Sequence, residues 1–149
     1  MEFRAQNKFL SRALLIGGIF TMIIGVAHIF MPTFGYSPQI FNSMEANVRD
    51  HFYYLATYAI CGFLLTLGLI SIYFSKLKSI KDSFMVSALL TVLWISRLVL
   101  EYFYPVEVSL FFIKSPHKIL FSAIAFIVIT YLIGTLSFIK FNKPQKKVE

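Results

Sequence analysis

Five ionisable residues in this chain have types suited to ligand chemistry: His28, His51, Arg97, Glu101 and His117. Neutral imidazoles with a carboxylate suit Zn, Cu or Fe, which makes His28, His51, His117 and Glu101 a candidate metal set. Two imidazoles facing each other across a helix bundle would ligate haem b, with Arg97 pairing a propionate. A histidine with Arg97 and tyrosines would instead hold a quinone headgroup, its tail lying between helices. Arg97 and Glu101 are spaced i, i+4, so on one helix they share a face and neutralise each other. No HExxH or Glu-x-x-His motif is present, and no residue is singled out as catalytic. The lone cysteine, Cys61, cannot form an internal disulfide, and no CxxC motif supports thiol exchange or c-type haem; it is expected to pack in a helix.

The same residues also have a purely structural reading. His51 and His117 fall at helix boundaries, where amphipathic side chains are common. Arg97 and Glu101 would then clasp helices together, bonding Tyr102, Tyr104 or a loop carbonyl. A ligand site exists only if the elements carrying the five residues bring them together, so those elements decide.

Of the 149 residues, 58% are hydrophobic and 14% charged, against about 25% charged in soluble domains. The apolar residues gather into four runs at 13–31, 52–74, 84–104 and 119–139. Each run is near the ~20 residues that carry a helix across ~30 Å of hydrocarbon. Only helices can satisfy their backbone in lipid without forming a barrel. The expected fold is therefore an all-α, integral membrane four-helix bundle that fills the chain, 1–149, as a single domain. No length remains for a soluble catalytic domain.

The net charge of +7 is placed beside the ends of these runs, which points to lipid headgroups, and no nucleic-acid-binding motif accompanies it. Arg4, Lys8, Arg12, Lys76, Lys78, Lys81, Lys140, Lys143, Lys146 and Lys147 fall on one side. Opposite them are Arg49, Lys114 and Lys118, offset by Glu45, Asp50 and Glu107. The positive-inside rule then puts both termini in the cytoplasm, and the expected location is a bacterial inner membrane. The first run lacks an A-x-A-like cleavage pattern before Pro32 and is expected to stay as an anchor.

All three histidines then lie on the outer side, and Arg97 and Glu101 lie near the outer end of the third span. His28 shares a helical stripe with Gly25, Thr21 and Gly17/Gly18. Arg97 and Glu101 share one with Leu90, Trp94 and Tyr104. His51 lines up with Leu55, Tyr58 and Gly62, and His117 with Ile124 and Tyr131. The short link 75–83 should make spans two and three antiparallel neighbours. In the outer loop 32–51, Gly35-Tyr36-Ser37-Pro38 signals a turn and 40–48 an interfacial helix. In the loop 105–118, the apolar stretch 108–113 is expected to cover the outer mouth or meet a partner. The tail 140–149 is expected to lie on headgroups or remain unstructured.

The first span, Arg12-Ala-Leu-Leu-Ile-Gly-Gly-Ile-Phe-Thr-Met-Ile-Ile-Gly-Val-Ala-His28, resembles the opening helix of DoxX-like four-helix membrane proteins. The likeness covers a basic residue at the helix start, a Gly-rich helix, a polar residue at its far end and the four-span layout. It implies a link to quinone-dependent redox complexes and carries over no site residues. The function expected first is that of a structural or accessory subunit of a homo-oligomer or larger membrane complex. A metal-, haem- or quinone-binding redox protein is the alternative; a transporter is weaker, since the inner half offers no buried charge for a relay.

Overall fold

The computed structural model describes residues 2–31, 38–77, 79–105 and 112–141. Its elements are α1 (Glu2–Phe30), α2 (Pro38–Ser43), α3 (Ala46–Tyr54), a π-helical segment (Leu55–Ile60), α4 (Cys61–Lys76), α5 (Ile80–Phe103) and α6 (His117–Phe141). The four apolar runs become four helices long and apolar enough to cross a membrane, at Lys8–Phe30, Ala46–Lys76, Ile80–Phe103 and His117–Lys140. Each helix extends beyond its apolar run because its polar flanks also favour helix. At the start of α5 the Ser79 hydroxyl accepts from the Asp82 backbone N–H, a side-chain cap that opens the helix four residues before Phe84.

The helices form a bundle with two distinguishable ends. Leu10, Ser75, Ser83 and Gly134 mark the near end, where the Ser83 hydroxyl donates to the Phe74 carbonyl at 2.9 Å. His28 and Arg97 mark the far end. Around the bundle the spatial order is α4, α1, α6, α5: α1 packs extensively on α4 and α6, and α5 on α6. Spans two and three are antiparallel neighbours as expected, but they meet less extensively than the other adjacent pairs. α4 and α5 join at the near end through their short link and otherwise barely touch. Small residues on α1 explain why it takes the central place. A Cβ on Gly18 would lie 2.9 Å from the Gly68 carbonyl oxygen of α4, so backbone approaches backbone there. The adjacent Gly17 makes room for the Tyr131 ring of α6.

Spans one, three and four bury the faces their periodicity indicates. Leu10, Leu14, Thr21, Leu90, Trp94, Ile124, Ile127, Val128 and Tyr131 are all buried. Tyr104 departs from this pattern and is exposed, just past the end of α5. Span two departs more fully, since His51, Leu55, Tyr58 and Gly62 are all exposed. The buried face runs through Ala56, Cys61, Leu64, Gly68, Ser71 and Ser75 instead. A five-residue step separates Ala56 from Cys61, and steps of three and four follow. The π turn supplies that wider step, since it inserts one residue relative to an α-helix. Cys61 is buried and free, as its packing role requires. Nothing lies within 4 Å of a Cβ on Gly62, so Gly62→Ala should stabilise the protein by about 0.5–1 kcal/mol. A thermal-shift comparison in detergent checks this.

Between the near end and the middle, hydroxyl groups link all four long helices. The Ser71 hydroxyl (α4) donates to the Leu14 carbonyl (α1) at 2.7 Å, and the Tyr131 hydroxyl (α6) donates to Ser71 at 3.1 Å. The Ser87 hydroxyl (α5) donates to the Tyr131 carbonyl at 3.2 Å and lies 3.0 Å from the Thr135 hydroxyl. Interhelical bonds of this kind are worth about 0.6 kcal/mol each in a membrane. Their larger effect is to fix helix rotation, because each partner lies at one position on the facing helix.

The expected interfacial helix at 40–48 is divided. α2 ends at Ser43, and residues from Ala46 onward belong to the helix that continues through Leu55–Ile60 into α4. The second span thus begins six residues before Phe52, with Arg49, Asp50 and His51 in its first turns. The turn at 35–38, most of the apolar stretch 108–113, and the tail beyond Phe141 lie largely outside the described residues.

Candidate functional site

At the far end, between α4 and α5, lies a cavity of about 740 Å³. Drug-sized ligand sites span roughly 300–1,000 Å³. Four walls form it: Ile24, His28 and Met31 from α1, Ala59, Ile60, Phe63 and Leu64 from span two, residues of α5 including Trp94, Ser96 and Arg97, and Leu120, Ala123 and Ile124 from α6. The walls are overwhelmingly apolar. The open side follows from the packing order, because α4 and α5 are the pair that does not close. Phe63 and Leu100, exposed on either side of that gap, frame the opening. Access is therefore lateral, from the direction that lipid would occupy around such helices. Ala59 and Ile60 belong to the π segment, so the same wide turn that resets the register of span two also shapes one cavity wall.

Two polar groups and an indole ring bear on this space. The His28 ring stands in the last turn of α1, with Nδ1 2.7 Å from the Ile24 carbonyl oxygen. A carbonyl only accepts, so Nδ1 carries the hydrogen, and in the neutral ring Nε2 is left as an acceptor. Arg97 stands six residues before the end of α5, about 9 Å along the helix. It donates from Nη2 to Glu101 Oε2 at 2.7 Å. Its side chain is 42% exposed and that of Glu101 only 1%, so the carboxylate is sequestered while the guanidinium reaches the cavity. One N–H of five goes to Glu101, leaving four donors for other partners. Trp94, 3% exposed, also lines the cavity, and its indole N–H is itself enclosed and has no hydrogen-bond partner. Buried polar groups are normally satisfied, so an unpartnered donor on a cavity-lining residue is unusual. The Ser96 hydroxyl is already committed, donating to the Val92 carbonyl at 3.0 Å.

Of the five candidate residues, His28 and Arg97 line one cavity, and Glu101 is bonded to Arg97. His51 is exposed on α3, and His117 opens α6 half-buried; neither lines the cavity. The metal set His28, His51, His117 and Glu101 is not assembled: among the described residues no three His, Cys, Asp or Glu side chains come close enough to hold a metal ion. The two facing imidazoles needed for haem b are likewise not paired across the cavity. The physical reason is the packing: the His51 stripe runs through exposed Gly62, beside the buried face of Cys61 and Leu64 rather than on it, and His117 stands at the very start of its helix. Trp94 was identifiable by its helical spacing to Arg97, whereas Ser96, Ala59 and Ala123 carry no sequence signal. No protein-family model, curated protein or solved structure matches this chain.

Proposed function

We propose that this chain is an integral membrane protein, crossing the bilayer four times with both termini cytoplasmic, that binds a membrane lipid at the outer end of its bundle. The observation that carries this reading is the apolar cavity between α4 and α5, open toward the side and bordered by His28 and Arg97. Apolar walls suit an acyl or prenyl tail, and polar groups at one level suit a headgroup. A lateral opening lets such a molecule pass in and out of the bilayer without crossing water. The charge distribution supports the orientation, since Lys8, Arg12, Lys76 and Lys81 all lie near the end opposite the cavity. The four-span layout implied by the DoxX-like resemblance agrees with this arrangement. A small subunit holding a lipid in this way would serve a larger membrane complex as an accessory component.

Arg97 and Glu101 support a role for the site beyond packing. Ionisable residues within a span cost roughly 2.5–3.5 kcal/mol each on insertion scales and commonly mark functional positions. Filling the cavity is the direct test. Ala123 is a small wall residue of α6, and Ala123→Phe should project a ring into the space. Mass spectrometry of purified wild-type protein should reveal a retained lipid, and the variant should retain at most a tenth as much at unchanged thermal stability. Equal lipid retention by a folded Ala123→Phe protein would place the lipid elsewhere on the surface and defeat the proposal.

A further inference from the structure

We infer that the cavity selects lipids with an uncharged headgroup bearing a hydroxyl group, over lipids with an anionic headgroup. The inference rests on the lipid-binding reading above and specifies the chemistry of its ligand.

Arg97 alone would make the cavity a site for phosphate or carboxylate, as unpaired guanidinium groups in apolar surroundings do. It is not alone. Glu101 sits 2.7 Å from Nη2 and is almost wholly removed from solvent, so the clasp is neutral as a unit. Bringing a phosphate beside it would leave one uncompensated negative charge among apolar walls, where charge separation is poorly screened. An uncharged oxygen meets no such penalty. It can accept from the remaining Arg97 N–H groups without disturbing the ion pair.

His28 adds an acceptor to the cavity. With Nδ1 fixed on the Ile24 carbonyl, His28 offers a lone pair at Nε2. A headgroup that only accepts would leave that lone pair unused. A hydroxyl, which donates as well as accepts, can serve both His28 and Arg97. The cavity thus offers hydrogen-bond donors and an acceptor with no net charge. Diacylglycerols and hydroquinones with an alkyl tail share the required chemistry.

Trp94 provides the readout, because it is the only tryptophan of the chain and it lines the cavity. Full-length protein in mild detergent would be titrated anaerobically with dioctanoylglycerol, a decyl-substituted hydroquinone, the dimethyl ether of that hydroquinone, and dioctanoyl phosphatidic acid, following Trp94 emission. At least one of the two hydroxyl ligands should bind ten times or more tightly than phosphatidic acid. Preference for the hydroquinone would identify a ring headgroup, and preference for dioctanoylglycerol a glycerolipid; either supports the proposal. The dimethyl ether should bind at least tenfold more weakly than its parent, and His28→Leu should remove that difference if the hydroquinone is the ligand bound.

Glu101→Gln exposes the positive charge that the clasp conceals, and should raise affinity for phosphatidic acid at least tenfold. Phosphatidic acid binding as tightly as the neutral ligands in the wild type would overturn the selectivity while leaving the cavity reading intact. No response to any of the four ligands would instead defeat the lipid-binding reading itself. If Glu101→Gln does not fold, the wild-type comparison decides alone.

Discussion

Replacing Arg97 with leucine should destabilise the protein by about 3 kcal/mol or more, and replacing Arg97 and Glu101 together should cost distinctly less. The asymmetry follows from burial. Glu101 is 1% exposed and Arg97 42%, with one hydrogen bond of 2.7 Å between them. Removing the arginine deprives a sequestered carboxylate of its counter-charge. Removing the glutamate alone should be milder, because the long arginine side chain can extend toward the headgroup layer and rehydrate. Removing both leaves apolar side chains in an apolar setting. Equilibrium unfolding of Arg97→Leu, Glu101→Leu and the double variant in mixed detergent micelles gives the three values. Equal losses in all three would mean that the clasp is not an energetic unit, and would remove the basis for treating it as neutral toward ligands.

Substituting Gly17 should be nearly as damaging, although it lies far from any charge. A Cβ at that position would stand 2.5 Å from Cζ of Tyr131, a ring with no exposed surface. The ring cannot move outward without breaking the hydroxyl bond to Ser71, and through it the bond from Ser71 to the Leu14 carbonyl. Gly17→Ala should therefore cost about 1–3 kcal/mol, the usual range for overpacking a filled core. In the double variant Gly17→Ala/Tyr131→Phe, the lost hydroxyl frees the ring to shift, so the two costs should combine to less than their sum. Full additivity, measured by the same unfolding assay, would show that the ring accommodates the methyl by another route. Gly62→Ala in the same helical background is the contrasting case, since the added methyl there meets nothing.

These two sites also mark how far the amino-acid sequence specifies the structure. Four apolar runs were enough to locate four long helices, because their length and polarity are set by local composition. Stripes at spacings of three and four identified the buried faces of α1, α5 and α6, so Thr21, Trp94, Ile124 and Tyr131 were placed correctly from periodicity. The same reasoning failed for span two. The stripe His51, Leu55, Tyr58 and Gly62 lies beside the buried face at every position, while the π turn at Leu55–Ile60 sets the five-residue step between buried Ala56 and Cys61. His51 is exposed on α3, where no residue is buried, and the histidine cluster inferred from matched depths is not assembled among the described residues.

Spans two and three are antiparallel neighbours, but the short link does not set how closely they pack along their length. A short link fixes the near ends of α4 and α5, but side-chain volume along α1 decides what each helix packs against beyond it. Gly18 and Gly68 draw α4 onto α1, and Gly17 admits Tyr131 of α6. α4 and α5 consequently diverge beyond the link, and the space left between them becomes the cavity. Within the site, the Arg97–Glu101 contact was legible from i, i+4 spacing. The convergence of His28 on the same space followed from its shared depth and stripe. The cavity itself was not legible, because an opening depends on which helices fail to meet, and no local pattern encodes that.

The central claim is that a lipid tail occupies the space lined by Trp94. It is tested most directly by reconstituting the protein into bilayers whose acyl chains carry bromine at defined depths. Bromine quenches indole emission only at close contact, and Trp94, the single tryptophan, is 3% exposed. The structure predicts strong quenching that falls at least severalfold in Ala123→Phe, where the cavity is filled. Emission unaffected by bromine at every depth would mean that no acyl chain reaches Trp94, and would contradict the claim.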